Sequence, residues 1–324
     1  MFLEPNCSLK NLSEAILQLS DFFIDHPRDQ TPWDQPSCTL AYRHYYFPLN
    51  YLRNIRVIEQ GLAVNFFNHL EHTVDWGAGP GTASLALKHN LKLKSQILIE
   101  KSTTALSAFK DIYDQLQSPT TTAVLDLKKL NVDKNKTLLT LSYSLTEMAE
   151  LPQGWDQFEA LMIVEPSTRD DGRKLLHVRQ KLIDAGYTIW APCLHQKQCP
   201  LLLHSKTDWC HDRVHVNAPN WFKKLEEHLP FRNNTVTTSY LLARRQKPTF
   251  KTESKIRVTG DSLKEKGKTR QLICRSEERE FLTWMHKEMK PQTIPRGVLI
   301  DLPEKVTLKS NEIRLNEKIM ESYE

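Results

Sequence analysis

Two groups of residues in this chain have the types and spacing to do chemistry. The first is Val74-Asp75-Trp76-Gly77-Ala78-Gly79-Pro80-Gly81-Thr82. The chain holds 10 glycines in 324 residues, and three of them fall within five consecutive positions here. Glycine is entropically costly and is kept where the backbone turns tightly or lies against a ligand. An apolar run ending in an acid, then G-x-G-x-G, then a helical pattern, is how a strand delivers a cofactor onto a helix N-terminus. Asp75 closes that strand. Glu100 closes the next, nineteen positions after Gly81, where a carboxylate suits a two-point grip on a ribose diol. Asp126 closes a third, within reach of an adenine edge. NAD and S-adenosylmethionine both fit a glycine turn followed by an acid.

The second group is made of cysteines. Of the 6 in the chain, Cys7 and Cys38 are isolated, and Cys193, Cys199, Cys210 and Cys274 occupy its second half. Four thiolates are one complete ligand set for Zn²⁺ or for an iron–sulfur cluster. The spacing matches neither the paired C-x-x-C of zinc sites nor the ferredoxin run, so both metals stay open. Three other readings stay open beside them. Cys193 could attack C6 of a pyrimidine in a C5-methyl transfer. His195, His204, His211 or His215 could replace one thiolate. All four could be plain buried thiols. A metal would tie a loop-like stretch to the later strand carrying Cys274.

The elements that must position these groups follow from periodicity. Residues 8–72 read as helical, with a loop near Pro27–Pro36. From residue 72 strand and helix alternate. The expected strands are Thr73–Trp76, Gln96–Glu100, Thr122–Asp126, Thr137–Ser142, Ala160–Val164, Tyr187–Trp190 and Thr235–Ala243. The expected helices are Thr82–Asn90, Thr103–Gln117 and Arg173–Ala185. This alternation argues for a doubly wound α/β sheet with helices on both sides. Between Pro192 and Arg232 no long strand is expected, only a short helix at Trp221–His228. A connection of that length needs a function or a staple, and three of the cysteines lie in it. Short strands are expected at Lys255–Thr259 and Arg270–Cys274. The domains read as a helical region (1–71), a core (72–191 and 235–245), a cysteine subdomain with a basic β-rich extension (192–234 and 246–300), and a loosely ordered tail (301–324).

Hydrophobic-Asp-hydrophobic-G-x-G-x-G with Pro80 in the loop resembles motif one of class I S-adenosylmethionine-dependent methyltransferases. That resemblance implies a seven-stranded sheet whose seventh strand is antiparallel. It places Asp75, Gly77, Gly79 and Gly81 along the methionine part, Glu100 on the ribose and Asp126 near the adenine. Ser142, at the end of the fourth strand, completes the cofactor-binding set. A narrower likeness lies in Ala191-Pro192-Cys193-Leu194-His195, Cys199-Pro200-Leu201, Asp208-Trp209-Cys210-His211 and Leu272-Ile273-Cys274. With Tyr42-Arg43, Pro48, Leu141-Ser142-Tyr143-Ser144-Leu145 and Glu165-Pro166-Ser167, these resemble the mitochondrial-type small-ribosomal-subunit methyltransferase-like (Rsm) family, which has bacterial members. The likeness spans roughly residues 40–300. It implies a [4Fe–4S] cluster on the four cysteines and a role in small-subunit assembly or translation through rRNA contact.

Catalysis has the weakest signature. The Asn/Asp-Pro-Pro-aromatic turn used for exocyclic amines is absent after the fourth strand, where Ser142-Tyr143-Ser144-Leu145-Thr146-Glu147 stands instead. Glu147 is a candidate base, or simply a solvated glutamate. The chain therefore reads as an rRNA methyltransferase, as a non-catalytic assembly factor on the same fold, or as a zinc-stapled methyltransferase of another substrate. From Arg244 to Arg275 eleven Lys or Arg face three acids. Arg244, Arg245, Lys247, Lys251, Lys255, Arg257, Lys264, Lys266, Lys268 and Arg270 could follow a phosphate backbone, and Trp209, Trp221 and Phe222 could stack on unpaired bases. No apolar run approaches a bilayer span and no basic leader precedes one, so a cytoplasmic monomer without a membrane partner is expected.

Overall fold

The computed structural model describes residues 2–121, 126–249, 254–302 and 305–319. The chain forms two compact units: Met1–Glu165 with Val214–Val236, and Pro166–Arg213 with Thr237–Glu324.

The first unit opens with helices α1 (Leu9–Asp25), α2 (Pro36–Ala41) and α3 (Phe47–Ala63), with a π turn over Tyr42–Tyr46. Ser8 starts α1 by accepting the Asn11 N–H at 3.1 Å, which satisfies one of the orphan donors at a helix start. Leu12, Ala15, Ile16 and Leu19 then recur at helical spacing and are buried. Next come β1 (His72–Trp76), α4 (Thr82–Asn90), β2 (Ser95–Ile99), α5 (Thr103–Ala108), α6 (Lys110–Leu116), β3 (Thr120–Thr121), β4 (Thr137–Ser142) and β5 (Ala160–Glu165). These strands run parallel in the order β3-β2-β1-β4-β5. The apolar runs of β4 and β5 are buried almost throughout, as in strands covered on both faces. Trp76 aligns with Ile99 on β2 and with Leu141 on β4. That register brings the glycine loop, Glu100 and Ser142 out at one edge of the sheet, where ligands of open α/β sheets bind.

The helix expected over Thr103–Gln117 is broken at Phe109, which has φ −115° and ψ 27°. The Phe109 ring is buried against Trp33, Tyr42 and Phe47, and that burial outweighs continuity of the helix. Of the expected third strand, Thr122–Leu125 lie outside the described residues. Thr120 and Thr121 pair with β2.

In the second unit α7 (Arg169–Asp184) begins four residues before the expected start. Thr168 caps it by accepting the Asp171 N–H at 3.2 Å. Then come β6 (Thr188–Ala191), α8 (Pro200–His204) and β7 (Asp212–His215). The chain next returns to the first unit with α9 (Asn220–Glu226), whose Phe222 and Leu225 sit in one core with Leu12, Ile16 and Leu49. Residues 214–236 therefore belong with the helical cap, whose core their apolar face completes. β8 (Thr235–Arg244) pairs antiparallel with β6 across one bulge. Strands β9 (Lys255–Val258), β10 (Leu263–Glu265), β11 (Lys268–Cys274), β12 (Glu280–Met285), β13 (Leu299–Asp301), β14 (Val306–Lys309) and β15 (Glu312–Leu315) make a second sheet. Its order is β13-β9-β11-β12-β15-β14, with β10 on β11. The tail expected to be loose supplies β14 and β15, since Ile313 and Leu315 are buried with Ile256, Leu282 and Trp284.

Five parallel strands in the order 3-2-1-4-5, then an antiparallel pair later in the chain, are the strand arrangement of a class I methyltransferase. Among the described residues no helix is long and apolar enough to cross a membrane.

Candidate cofactor cavity and cysteine site

A cavity of about 530 Å³ lies at the C-terminal edge of β1, β2 and β4, walled by Gly77, Gly79, Glu100, Ser142 and Ser144. Gly77, Gly79 and Gly81 have φ of 70°, 51° and 75°, in the left-handed region where only glycine is unstrained. A Cβ at Gly77 would lie 2.9 Å from the Ser144 Cβ. The Gly79 peptide is clamped from both ends. Its N–H donates to Glu100 Oε2 at 2.7 Å, and its carbonyl accepts from the Tyr113 hydroxyl at 2.8 Å. The other Glu100 oxygen accepts the Ser102 N–H at 2.7 Å. Glu100 thus pins the loop and still faces the cavity. Each of its oxygens keeps a lone pair.

The other two acids do not reach the cavity wall. Asp75 is 1 % exposed and accepts from the Ser84 hydroxyl at 2.7 Å. It ties β1 to the first turn of α4. Burial, partly offset by the Ser84 hydrogen bonds, pushes its pKa up to about 6. Asp126 caps a 3-10 turn by accepting the Lys128 N–H at 2.9 Å, so its side chain is spent on the backbone. Gly81 is the N-cap of α4, and its missing Cβ makes room for Leu116. Ser142 is on the wall and meets Asn54 at 3.2 Å.

Sequence reasoning missed the contribution of the helical cap, whose Thr31, Trp33, Tyr42 and Asn50 also line the cavity. It missed two buried hydroxyls as well. Among the described residues the Oγ atoms of Thr82 and Ser144 meet no hydrogen-bond partner, and both residues border the cavity. Just after β4, Tyr143 takes φ 60°. For a bulky side chain this conformation is a genuine outlier. Strain of this kind, of order 1–3 kcal/mol, gathers at functional sites. Glu147 also lines the cavity. One oxygen accepts from the Thr31 N–H and hydroxyl at 3.0 and 2.9 Å, and the other is 4.0 Å from Lys101 Nζ.

In the second unit Cys193, Cys199, Cys210 and Cys274 line a single small cavity of about 30 Å³. All are free thiols. Burial raises Cys210 to about 12 and Cys274 well above its ordinary value. Arg179, 1 % exposed, sends Nε to Cys193 Sγ at 3.1 Å and Nη2 to the His195 carbonyl at 2.7 Å. His195 Nε2 stands 3.7 Å from Cys274 Sγ, and burial followed by the Arg179 charge lowers its pKa to about 4. Among the described residues no group of three or more His, Cys, Asp or Glu side chains is placed to hold a metal ion. His204 and His215 do not line this cavity, and His211 faces Arg296 at 3.4 Å.

Residues 36–289 match the family described as mitochondrial small ribosomal subunit Rsm22. The chain belongs to this family. No curated protein matches it. Among solved structures it is similar to TrmK of M. capricolum bound to S-adenosyl-homocysteine (12 % identity, TM-score 0.36, 60 % of this chain and 69 % of that one). It is also similar to precorrin-6y C5,15-methyltransferase of Geobacter metallireducens (10 %, 0.37, 58 % and 87 %) and to an S-adenosylmethionine-dependent methyltransferase of Clostridium acetobutylicum (10 %, 0.35, 64 % and 98 %). Likenesses at these scores carry no weight, and the methyltransferase fold rests on the strand order above.

For an Rsm22 member the expected RNA-contact set needs correction. Arg244 and Arg257 are 3 % and 2 % exposed. Arg257 donates to the buried Asp212 and, at 3.0 Å, to the Tyr240 hydroxyl. Phe222 is a core side chain, and the Trp209 indole donates to the Ser167 carbonyl at 2.8 Å. Lys255, Lys268 and Arg270 pair with Asp301, Glu312 and Glu265. Lys251 lies outside the described residues. Lys247, Lys264 and Lys266 stay exposed.

Proposed function

We propose that this Rsm22 member binds S-adenosylmethionine in the cavity of the first unit and acts on or beside small-subunit rRNA. We further propose that Cys193, Cys199, Cys210 and Cys274 hold a [4Fe–4S] cluster. The observation that carries the cofactor reading is Glu100. It is locked onto the glycine loop and lines a cavity of about 530 Å³, within the roughly 300–1,000 Å³ range of small-ligand sites. The unpartnered hydroxyls of Thr82 and Ser144 suit a polar nucleoside ligand. Bound there, S-adenosylmethionine supplies an electrophilic methyl group. In the second unit four thiols surround a cavity, not a point, which supports a cluster, where each iron takes one thiolate. Tetrahedral zinc on the same four sulfurs is the alternative; among the described residues no three ligands are placed to hold a metal ion of either kind. The cavity, of about 30 Å³, has room for about one water.

A second reading, a non-catalytic assembly factor, draws support from the segment that closes β4 and follows it, residues 142–147, which lacks the Asn/Asp-Pro-Pro-aromatic turn. Calorimetric titration of the full chain with S-adenosylhomocysteine tests the cofactor reading. Glu100→Ala is expected to weaken binding at least tenfold, and an unchanged isotherm overturns it. Anaerobically purified protein is expected to carry iron and sulfide in equal amounts, whereas stoichiometric zinc without sulfide favours the zinc-stapled alternative. Transfer of a labelled methyl group to small-subunit rRNA separates the enzyme from the scaffold.

A further inference from the structure

The second unit holds another cavity, of about 230 Å³, bordered by Trp209, His211, Asp261, Arg279, Phe281 and Arg296. Its charges do not balance. Arg279 is matched, with Nε and Nη2 on Asp208 Oδ2 at 3.2 and 2.8 Å. Asp261 is claimed twice. Arg213 holds both of its oxygens, at 3.0 and 3.3 Å, and Arg296 Nη1 reaches Oδ2 only at 3.6 Å. Three guanidinium groups thus share two carboxylates, and Arg296 is the one left short. Its Nη2 has the Trp209 carbonyl and His211 Nδ1, each at 3.4 Å, beyond the roughly 2.7–3.2 Å of an ordinary N–H···O bond. Its Nε meets no partner among the described residues. Yet the side chain is only 13 % exposed, and a buried cation without a close partner is costly. Burial outweighs the pull of Asp261 and lowers the Arg296 pKa. Arg257, also buried, has Asp212 and the Tyr240 hydroxyl instead.

We propose that Arg296 anchors a phosphate-binding pocket, and that the phosphate belongs to the backbone of single-stranded RNA. A guanidinium presents its donors in a planar fork that matches a phosphate. A phosphate on Arg296 brings both the missing negative charge and acceptors for the poorly held N–H groups. At about 230 Å³ the cavity lies below the roughly 300–1,000 Å³ of small-ligand sites. It suits one phosphate with part of its sugar. Positive charge continues beyond it. Leu263, which lines the cavity, opens β10, and Lys264 and Lys266 just after it are exposed. A nucleic-acid strand has further phosphates to lay along these lysines, which a lone anion lacks. A single strand, unlike a duplex, can bend one phosphate into a recess. The choice of RNA rests on the rRNA reading above; the anion pocket itself does not.

The test uses the full chain and two probes. One is a fluorescein-labelled single-stranded oligouridine, read by anisotropy over a salt series. The other is inorganic phosphate, read as a shift in melting temperature against chloride at equal ionic strength. Arg296→Gln is expected to weaken oligouridine binding by about five- to tenfold and to flatten the slope of log K against log salt by about 0.7, the single-strand value for one phosphate. Arg296→Lys, which keeps the charge and loses the fork, is expected to fall between. Asp261→Asn removes the competing carboxylate at a position 55 % exposed, and is expected to tighten binding. Unchanged affinity and slope in Arg296→Gln overturn the RNA assignment. If phosphate then stabilises the wild type and not the variant, the pocket takes a free anion only. A wild type that binds no oligouridine defeats the RNA reading itself. One that also gains nothing from phosphate defeats the pocket. Should Arg296→Gln not fold, Asp261→Asn decides, and unchanged or weaker binding there overturns the proposal.

Discussion

At the scale of single residues, the two acids of the glycine motif do different work. Glu100 sits on the cavity wall with both oxygens tied to backbone N–H groups. Asp75 is withdrawn behind the loop and holds Ser84. Its carboxyl titrates near pH 6 in the folded chain against 3.8 for the ordinary value. The folded state therefore binds this proton more tightly than the unfolded state does. The resulting stability is fully present below pH 3.8 and is lost as pH rises through 6. Above that the ionised side chain disfavours folding by about 3 kcal/mol. Asp75→Asn keeps a hydrogen-bonding partner for Ser84 and does not titrate. Urea denaturation between about pH 4 and 8 is expected to show the wild type losing up to about 3 kcal/mol relative to the variant. Parallel curves would sink the assignment of a buried, elevated carboxyl. Nothing in the motif distinguishes Asp75 from Glu100, because burial depends on what packs behind the loop.

At the scale of elements, α7 shows how a helix is positioned by the absence of a side chain. Gly172 lies one turn into α7 and faces Trp209. A Cβ there would come 2.4 Å from the indole Cδ1. The indole cannot easily yield, since its N–H is held by the Ser167 carbonyl. Gly172→Ala is expected to lower unfolding free energy by about 1–3 kcal/mol, the usual effect of overpacking. Gly267 supplies the control. It has φ 82°, and a methyl group added there would meet nothing within 4 Å. Gly267→Ala then reports left-handed strain alone, about 1 kcal/mol. Equal losses in chemical denaturation would show that Trp209 moves aside freely. The amphipathic pattern of α7 was legible from Leu175 onward. Its true start was not, because residues 169–172 are polar or glycine and the Thr168 cap carries the signal.

At the scale of the whole chain, the first unit is not a continuous segment. Its helical core includes Phe222, Leu225, Leu229 and Val236 together with Leu12, Ile16 and Leu49. A fragment ending at residue 165 loses those four side chains. At about 1.5–3 kcal/mol for each buried apolar residue, the loss rivals the roughly 5–15 kcal/mol stability of a typical domain. Fragment 1–165 is expected to bind a hydrophobic dye and to lack near-ultraviolet dichroism. Joining residues 214–236 to it through a flexible linker is expected to restore the signal. A natively packed 1–165 fragment would contradict the shared core.

Local rules carried the sequence reading a long way. The glycine loop, the strand ends at Asp75 and Glu100 and the β-α alternation are all written in short-range patterns, because backbone turns and side-chain periodicity are set by near neighbours. Four cysteines marked a second site for the same reason, being rare and chemically distinctive. What only the tertiary structure decided is which groups are buried and what stands opposite them. It turned Asp75 inward and spent Asp126 on a turn. It buried Arg257 against Asp212, returned residues 214–236 to the helical core and set Arg179 among thiols. These outcomes depend on segments far apart in sequence meeting in space, where the cost of a buried charge is settled by its partner and not by its neighbours along the chain.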